Sequence, residues 1–328
     1  MAGARWLVTG GAGYVGSHVV RSLLSSGRVP VVVDDLSTGR PERLPPGVEL
    51  LEGSVVDEEF LTGALVHADV QGVIHLAAKK SPTESVADPL RYARENVGGV
   101  VSLVAAVRRT GCSRVVFSSS CSVYGTPTTG TVDEDAPKNP VSPYGDSKLY
   151  GERLLEAAAA AYGWGVVSLR YFNVVGAVHA ELVDTGAHNL VPLAVAALQD
   201  GRRPQVFGDD YPTADGTCVR DYVDVQDVAE AHVAAARGLE RRPRVAVYNV
   251  GRGEGSSVLQ VLDLLREISG RDLDHEVVPR RPGDPARIVG RVDRIAAELG
   301  WSARRDLRQS VTSVWRAADT RCASSVAP

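Results

Sequence analysis

The first half of the chain alternates short β-branched runs with stretches of helical periodicity. Apolar runs at residues 6–9, 31–33, 72–76 and 114–118 are separated by helical patterns around residues 17–25 and 98–109. The runs VVV and RVVF are apolar on both faces, the pattern of strands enclosed between two helix layers. Strand and helix in turn predict an α/β fold, a Rossmann-type doubly wound parallel sheet whose ligands gather at the carboxyl ends of the strands. An alanine- and leucine-rich helix is predicted over residues 144–162, with Ser142 as cap and Pro143 in its first turn. Beyond Asn173 the periodicity loosens into Gly, Pro and Asp clusters such as residues 208–213, the composition of loops built around a ligand. A further strand and helix, residues 219–225 and 227–237, are expected to return to the first unit. The division expected is a dinucleotide-binding unit of residues 1–172 plus about 217–250, and a smaller substrate-binding unit of about 173–216 plus 251–328.

Composition narrows the function classes. With 328 residues, 44% hydrophobic and 23% charged, the chain can bury a core without disulfides and is too apolar for a disordered protein. A net charge of −4 and scattered arginines provide no basic stripe, so neither nucleic acid nor a membrane surface is an expected partner. Cys112, Cys121, Cys218 and Cys322 lie far apart without CxxC spacing and read as reduced thiols, and no metal site is expected. No stretch resembles a leader or a membrane span, so the cytoplasm is the expected location.

The first strand runs into Thr9-Gly10-Gly11-Ala12-Gly13-Tyr14-Val15-Gly16, a GxxGxxG spacing at a strand-to-helix turn. Glycine there permits the tight turn, brings backbone close to a pyrophosphate and lets the helix pack, while the helix N-terminus offers free N–H groups. Asp34 ends the second strand at the distance expected of a ribose-binding acid. With Asp35 beside it, a 2′-phosphate is repelled and NAD is preferred to NADP, although Arg40 and Arg43 nearby keep NADP open.

Tyr144 and Lys148 stand four residues apart on the predicted helix and so share a face. A lysine cation near the phenol favours phenolate and suits a general base. A YxxxK pair alone is a weak signal, but the run at residues 115–117 ends in Ser118-Ser119-Ser120, which brings hydroxyls to the sheet edge that holds the cofactor. Ser120 there can orient a reacting hydroxyl. His75 reads as packed at its strand end rather than as a metal ligand.

These motifs, with Ser120 in SSSCSVYG, resemble the extended short-chain dehydrogenase/reductase family, and within it the UDP-glucose (UDP-galactose) 4-epimerase group. Arg170-Tyr171-Phe172-Asn173, Asn189-Leu190-Val191-Pro192, residues 207–213, residues 215–222 and Arg280-Arg281-Pro282-Gly283-Asp284 carry the closer likeness, which runs across nearly the whole chain. The resemblance implies tightly bound NAD held by Gly10, Gly13, Tyr14, Val15, Gly16, Asp34, Asp35, Ser37, Ser54, Val55, Leu76, Ala77, Ala78, Lys80, Tyr144, Lys148 and Tyr171. It implies catalysis by Ser120, Tyr144 and Lys148, and a UDP-sugar site of Lys80, Ser120, Ser122, Tyr144, Phe172, Asn173, Asn189, Leu190, Gln205, Phe207, Arg220, Tyr222, Arg281 and Asp284, with Tyr124 as a lesser contact. The arginines would grip the diphosphate, for which their planar fork is suited. A homodimer through helices near residues 89–109 and 144–162 is implied likewise.

The reading is therefore an NAD-dependent 4-epimerase of a UDP-hexose acting through a transient 4-keto sugar. The alternatives are a 4-epimerase of UDP-glucuronate or a UDP-pentose and, in another class, a non-catalytic NAD-binding sensor. A 4,6-dehydratase is disfavoured because Cys121 and Ser122 provide no carboxyl where elimination needs one. Three positions depart from the group's pattern. Ser54 replaces an adenine-binding aspartate, with Asp57 as a possible substitute; Glu95 stands where an asparagine is common; and Arg287 lies in the segment that limits sugar size, where with Lys80 it would favour an acidic sugar.

Overall fold

The computed structural model describes residues 3–184, 186, 189–272, 274–281 and 283–325, with side chains as far as Thr320. From the N-terminus the chain forms β1 (Arg5–Thr9), α1 (Tyr14–Ser25), β2 (Val29–Asp34), β3 (Glu49–Glu52), α2 (Glu58–Ala68), β4 (Gly72–His75), α3 (Pro82–Ala87) and α4 (Pro89–Tyr92). A π-helical turn, Ala93–Val97, leads into α5 (Gly98–Thr110), then β5 (Arg114–Ser120), β6 (Thr131–Val132), α6 (Pro143–Tyr162), β7 (Gly165–Tyr171) and β8 (Asn173–Val175). The rest is α7 (Leu190–Gln199), β9 (Gln205–Phe207), β10 (Val219–Asp224), α8 (Val225–Arg241), β11 (Val245–Val250), β12 (Gly255–Ser257), α9 (Val258–Ser269), β13 (Glu276–Val278), β14 (Arg287–Gly290), α10 (Asp293–Leu299) and α11 (Leu307–Ser325).

The expected doubly wound sheet is present. Seven strands pair in parallel in the order β11-β7-β5-β4-β1-β2-β3, so the winding direction reverses between β1 and β4. Strand alternation divides the core. Trp6, Val8, Val32, Ile74 and Val116 face the layer of α1 and α8, whereas Leu7, Val31, Val33, Val73 and Phe117 face α2, α5 and α6. Each such side chain, removed from water on a strand buried on both faces, contributes about 1.5–3 kcal/mol. Helix α6 starts where the sequence predicts: the Ser142 hydroxyl accepts the Gly145 N–H at 3.2 Å, Pro143 occupies the first turn, and Gly163 ends the helix at φ +72°.

A second sheet has the order β12-β10-β14-β6, with β8 also paired to β10, and β9 pairs with β13. The expected return to the first sheet is made by α8 and β11; β10 itself stays in the second sheet, although its Val223 reaches the core beneath α8. A separate apolar cluster joins α7, α9 and α11. Among the described residues no helix is long and apolar enough to cross a membrane. Cys112, Cys121 and Cys218 are free thiols, while the Cys322 side chain lies outside the described residues.

Candidate active site

The loop leaving β1 crosses the end of β4 at the reversal of the sheet. Gly10 takes φ +70°, and a Cβ on it would fall 2.8 Å from the Ala77 nitrogen. A Cβ on Gly16 would lie 2.0 Å from the Gly10 carbonyl oxygen, so α1 can sit on the turn only without a side chain there. Gly13 occupies the α1 N-cap and brings no side-chain acceptor, which leaves the first helical N–H groups facing outward. Val15 and Leu76 pack against the core, and Ala77 donates its N–H to the Thr9 hydroxyl at 3.3 Å. Tyr14 does not turn its hydroxyl to this cradle; it donates to the Gly176 carbonyl at 2.6 Å.

At the end of β2 the buried Asp34 carboxylate accepts N–H groups from Ala12 and Leu36, both at 2.9 Å, and so closes the glycine turn onto its own strand. Burial raises its pKa against those two bonds. Asp35 accepts the Ser37 N–H and hydroxyl at 3.0 and 2.7 Å, and Lys79 donates to the same hydroxyl at 3.0 Å. Burial pushes Asp35 up, but the Ser37 bonds and the Lys79 charge outweigh it and hold the carboxylate below its usual range. Arg43 is buried, with its guanidinium directed to the carbonyls of Val183 and Glu181 at 2.9 and 3.4 Å. It is not presented to a 2′-phosphate, which favours NAD. The glycine cradle, the acceptors at Asp34 and the inward Arg43 together fit NAD.

Strand β5 delivers three serines whose partners all differ. Ser118 Oγ lies 3.0 Å from His232 Nε2, Ser119 donates to Glu152, and Ser120 donates to the Ser122 hydroxyl at 3.1 Å while accepting the Ser122 N–H. Tyr144 and Lys148 face this strand end from α6, both buried, with Ser120 close enough to lower the pKa of the Tyr144 phenol. Lys148 Nζ donates to the Ser118 carbonyl at 2.9 Å and lies 5.8 Å from the centre of the Tyr144 ring. Burial lowers the Lys148 pKa to about 8, opposed by Glu152. Burial also pushes the Tyr144 phenol well up, reinforced by Tyr171 and opposed by Ser120. Tyr171 ends β7 in register with Ser120, and burial raises its phenol pKa against the effect of Ser118. His75 is buried, stacks on Phe117 and contacts the Thr9 hydroxyl at 2.8 Å, a packed strand end as expected.

Several residues expected to hold the substrate are drawn together in pairs. Arg220 approaches Asp284 at 3.5 Å and donates to the Pro285 carbonyl at 2.7 Å. It is not spent on its neighbour Asp221, whose carboxylate accepts N–H groups of Arg252, Gly253 and Gly290 on the opposite side. Arg281 lies over the Phe207 ring at 3.7 Å from its centre, and Gln205 shares that face of β9. Asn173 opens β8 directly opposite Tyr222 on β10, and Phe172 packs over Gly290. Asn189 occupies the N-cap of α7, before Leu190, yet its amide donates to Asp184 at 2.7 Å instead of capping. Lys80 donates to the same carboxylate at 3.1 and 3.2 Å, so Asp184 bridges residues expected on the cofactor and substrate sides.

Comparison with known proteins agrees with this geometry. The family model described as "NAD dependent epimerase/dehydratase family" matches residues 6–251. The chain belongs to this family. It is 44% identical over 310 residues to the UDP-glucose 4-epimerase of Azospirillum brasilense, covering 93% of this chain and 89% of that protein. Its fold is similar to the crystal structure of UDP-glucose 4-epimerase from Stenotrophomonas maltophila with bound NAD and formylated UDP-arabinopyranose, at a TM-score of 0.92 and 36% identity over 98% of this chain and 99% of that one. The Bifidobacterium longum UDP-glucose 4-epimerase, crystallised with NAD+ and UDP, gives 0.91 and 34% over 97% and 98%.

Asp57 caps α2 through the Phe60 N–H at 3.0 Å, and Ser54 turns its hydroxyl to the Val56 N–H at 3.3 Å. Within this family frame, three sequence expectations are corrected. The inward residue of the Ala93–Val97 turn is Asn96, not Glu95. Its amide brackets the Lys79 backbone at 2.8 and 3.0 Å and donates to Ser147 on α6 at 3.0 Å. Neighbouring residues of a helical turn point in different directions, so with Asn96 turned to Lys79 and Ser147, Glu95 does not share that place. Arg287 extends over Gly130 and Gly255, on the face of the second sheet opposite the Arg220–Ile288 pair, so it brings no cation to the Arg220 side. Tyr124 is a core residue whose hydroxyl donates to Asn249 at 2.7 Å and accepts from Arg170 at 3.0 Å. Asp184 was missed because no local motif marks an acid whose partners lie 104 and five residues away.

Proposed function

We propose that this chain interconverts UDP-glucose and UDP-galactose by 4-epimerisation through a transient 4-keto sugar, with NAD kept bound. The observation that carries the reading is the convergence of Ser120, Tyr144 and Lys148 at the carboxyl end of β5, one strand from the glycine cradle. Bound NAD supplies the acceptor and donor of the C4 hydride. The first N–H groups of α1, left open at its Gly13 N-cap, and the Asp34 carboxylate would hold it, with Gly10 and Gly16 giving the close approach. Tyr144 as phenolate takes the proton of the sugar 4-hydroxyl as C4 is oxidised, becoming the neutral phenol, and returns that proton as C4 is reduced. Ser120 Oγ holds that sugar oxygen, and the Lys148 ammonium supplies positive charge that favours the phenolate. Arg220 and Arg281 grip the diphosphate, with Asp284, Asn189 and Phe207 around the uridine.

A UDP-pentose is the second reading, favoured by the sugar nucleotide bound in the Stenotrophomonas structure. The uronate reading loses its support with Arg287 turned to the other face. A cytoplasmic homodimer is the form expected: Val86, Leu90 and Tyr150 leave an exposed apolar surface over α3, α4 and α6. The deciding test is incubation of purified protein, without added cofactor, with UDP-galactose and with a UDP-pentose while NMR follows inversion at C4. Approach to a UDP-glucose mixture is expected. No inversion of either sugar, with NAD added, returns the chain to the sensor reading.

A further inference from the structure

On α6 the positions 144, 148 and 152 stand four residues apart and form one stripe toward β5. The third member is Glu152, buried at 6% exposure. Its carboxylate accepts Nε and Nη2 of Arg170 on β7 at 2.8 and 2.6 Å, and also the hydroxyl of Ser119, the residue before Ser120. The remaining Arg170 nitrogen donates to the Tyr124 hydroxyl and the Glu134 carbonyl, both at 3.0 Å. A buried ion pair is seldom better for stability than apolar side chains of equal volume, because two charges must leave water. Stability is therefore a poor reason for a carboxylate here; its place one turn beyond Lys148 suggests another.

We propose that Glu152 is a positioning residue of the epimerase centre, whose buried negative charge keeps Lys148 a cation and whose bond from Ser119 holds the end of β5 that carries Ser120. The inference rests on the reading of Tyr144 and Lys148 as the catalytic pair. Among the described residues few charged or titratable groups face Lys148. From α6 these are Tyr144 and Glu152, and from β4 His75, which burial and the Lys148 charge push down to about 3 and so keep neutral. Strand β5 presents only the Ser118 carbonyl and the Phe117 ring. On β7, Arg170 is turned to Glu152, and burial holds the Tyr171 phenol protonated. The Cys121 thiol is pushed up to about 12 by burial and stays neutral. From the helices before α5, Tyr92 packs edge-on against Tyr144 and donates its hydroxyl to Glu84, and on α5 Arg108 lies over Tyr162 at the far end of α6. Of these groups Glu152 is the anion on the Lys148 stripe, and it opposes the effect of burial on that lysine.

The chain has only four lysines, Lys79, Lys80, Lys138 and Lys148, so lysine-selective isotope labelling gives four resolvable side-chain NMR signals in the NAD-loaded protein. Lys148 is assigned by its loss in K148R, and its midpoint is read against pH. In E152Q the midpoint should fall by about 1 unit, the low end of the effect of one charged neighbour. In R170M, which leaves Glu152 uncompensated, it should rise by a similar amount. The alkaline limb of kcat should move in the same two directions. A purely structural pair predicts shifts of the same sign in both variants, or none, and that result overturns the proposal. Should E152Q fail to fold around its stranded arginine, E152Q/R170M is compared with R170M: the midpoint must be lower in the double variant, and equality is refutation. The NMR titration needs no turnover. Opposite shifts in a protein that inverts no UDP-sugar would sink the epimerase reading alone, whereas full turnover with an unmoved Lys148 midpoint would sink this inference alone.

Discussion

Replacing Gly16 by alanine tests the cofactor cradle at its tightest point. The added Cβ would lie 2.0 Å from the Gly10 carbonyl oxygen and 2.7 Å from the Gly11 Cα, against a floor of 3.0 Å for real contacts. Both obstacles are backbone, so relief requires the turn and the start of α1 to separate by about 1 Å. Overpacking of this kind costs about 1–3 kcal/mol, and the upper value applies because no flexible side chain can yield. If about 3 kcal/mol falls on the NAD-competent turn, NAD affinity drops about 100-fold, since each 1.4 kcal/mol is tenfold. Gly63→Ala is the control: Gly63 lies within α2 with nothing near its added Cβ, and alanine there should stabilise by about 0.5–1 kcal/mol. The assay is NAD content after purification, followed by calorimetric titration of stripped protein. Retention of NAD within tenfold of the parent by Gly16→Ala would refute the cradle.

Tyr144→Phe should keep NAD while kcat falls about 10²–10⁴-fold, the usual contribution of a general acid–base, as read by C4 inversion with NAD content measured on the same sample. Lys148→Met should abolish most turnover yet stabilise the protein at pH 7. The folded lysine titrates near 8 against about 10.4 unfolded, so below pH 8 the folded state carries a buried cation at a cost of about 3 kcal/mol, less about 1 for the lost bond to Ser118. Because both states of the parent are neutral above about pH 10.5, the advantage of Lys148→Met must fade between pH 8 and 10.5; chemical denaturation at matched NAD content checks this, and a gain independent of pH contradicts it. Asp184→Ala releases Lys80 and Asn189 together and should raise KM for the UDP-sugar about tenfold with a smaller change in kcat; an unchanged KM would remove Asp184 from the site.

What could be read from the sequence was whatever local chemistry encodes. The glycine turn, the β-branched runs, the capped helix at Ser142 and the four-residue spacing of Tyr144 and Lys148 each follow from interactions within a few residues, and each appears in the fold where expected. The destination of a side chain is a different matter, because it depends on strand register and on partners distant along the chain. In the turn before α5 the inward position belongs to Asn96 and not to its neighbour Glu95. Strand parity sent Arg287 to the face away from Arg220. Tyr124 went to a buried network with Arg170 and Asn249, and β10 joined the second sheet while its following helix covered the first. Asp184 and Glu152 had no motif of their own; they acquired neighbours when the loop after β8 approached Lys80 and when β7 came to lie beside β5. Periodicity and turn chemistry are properties of short segments and determine which elements form, whereas the facing and pairing of buried polar groups are decided only when those elements pack, since each must find its hydrogen-bond partner there.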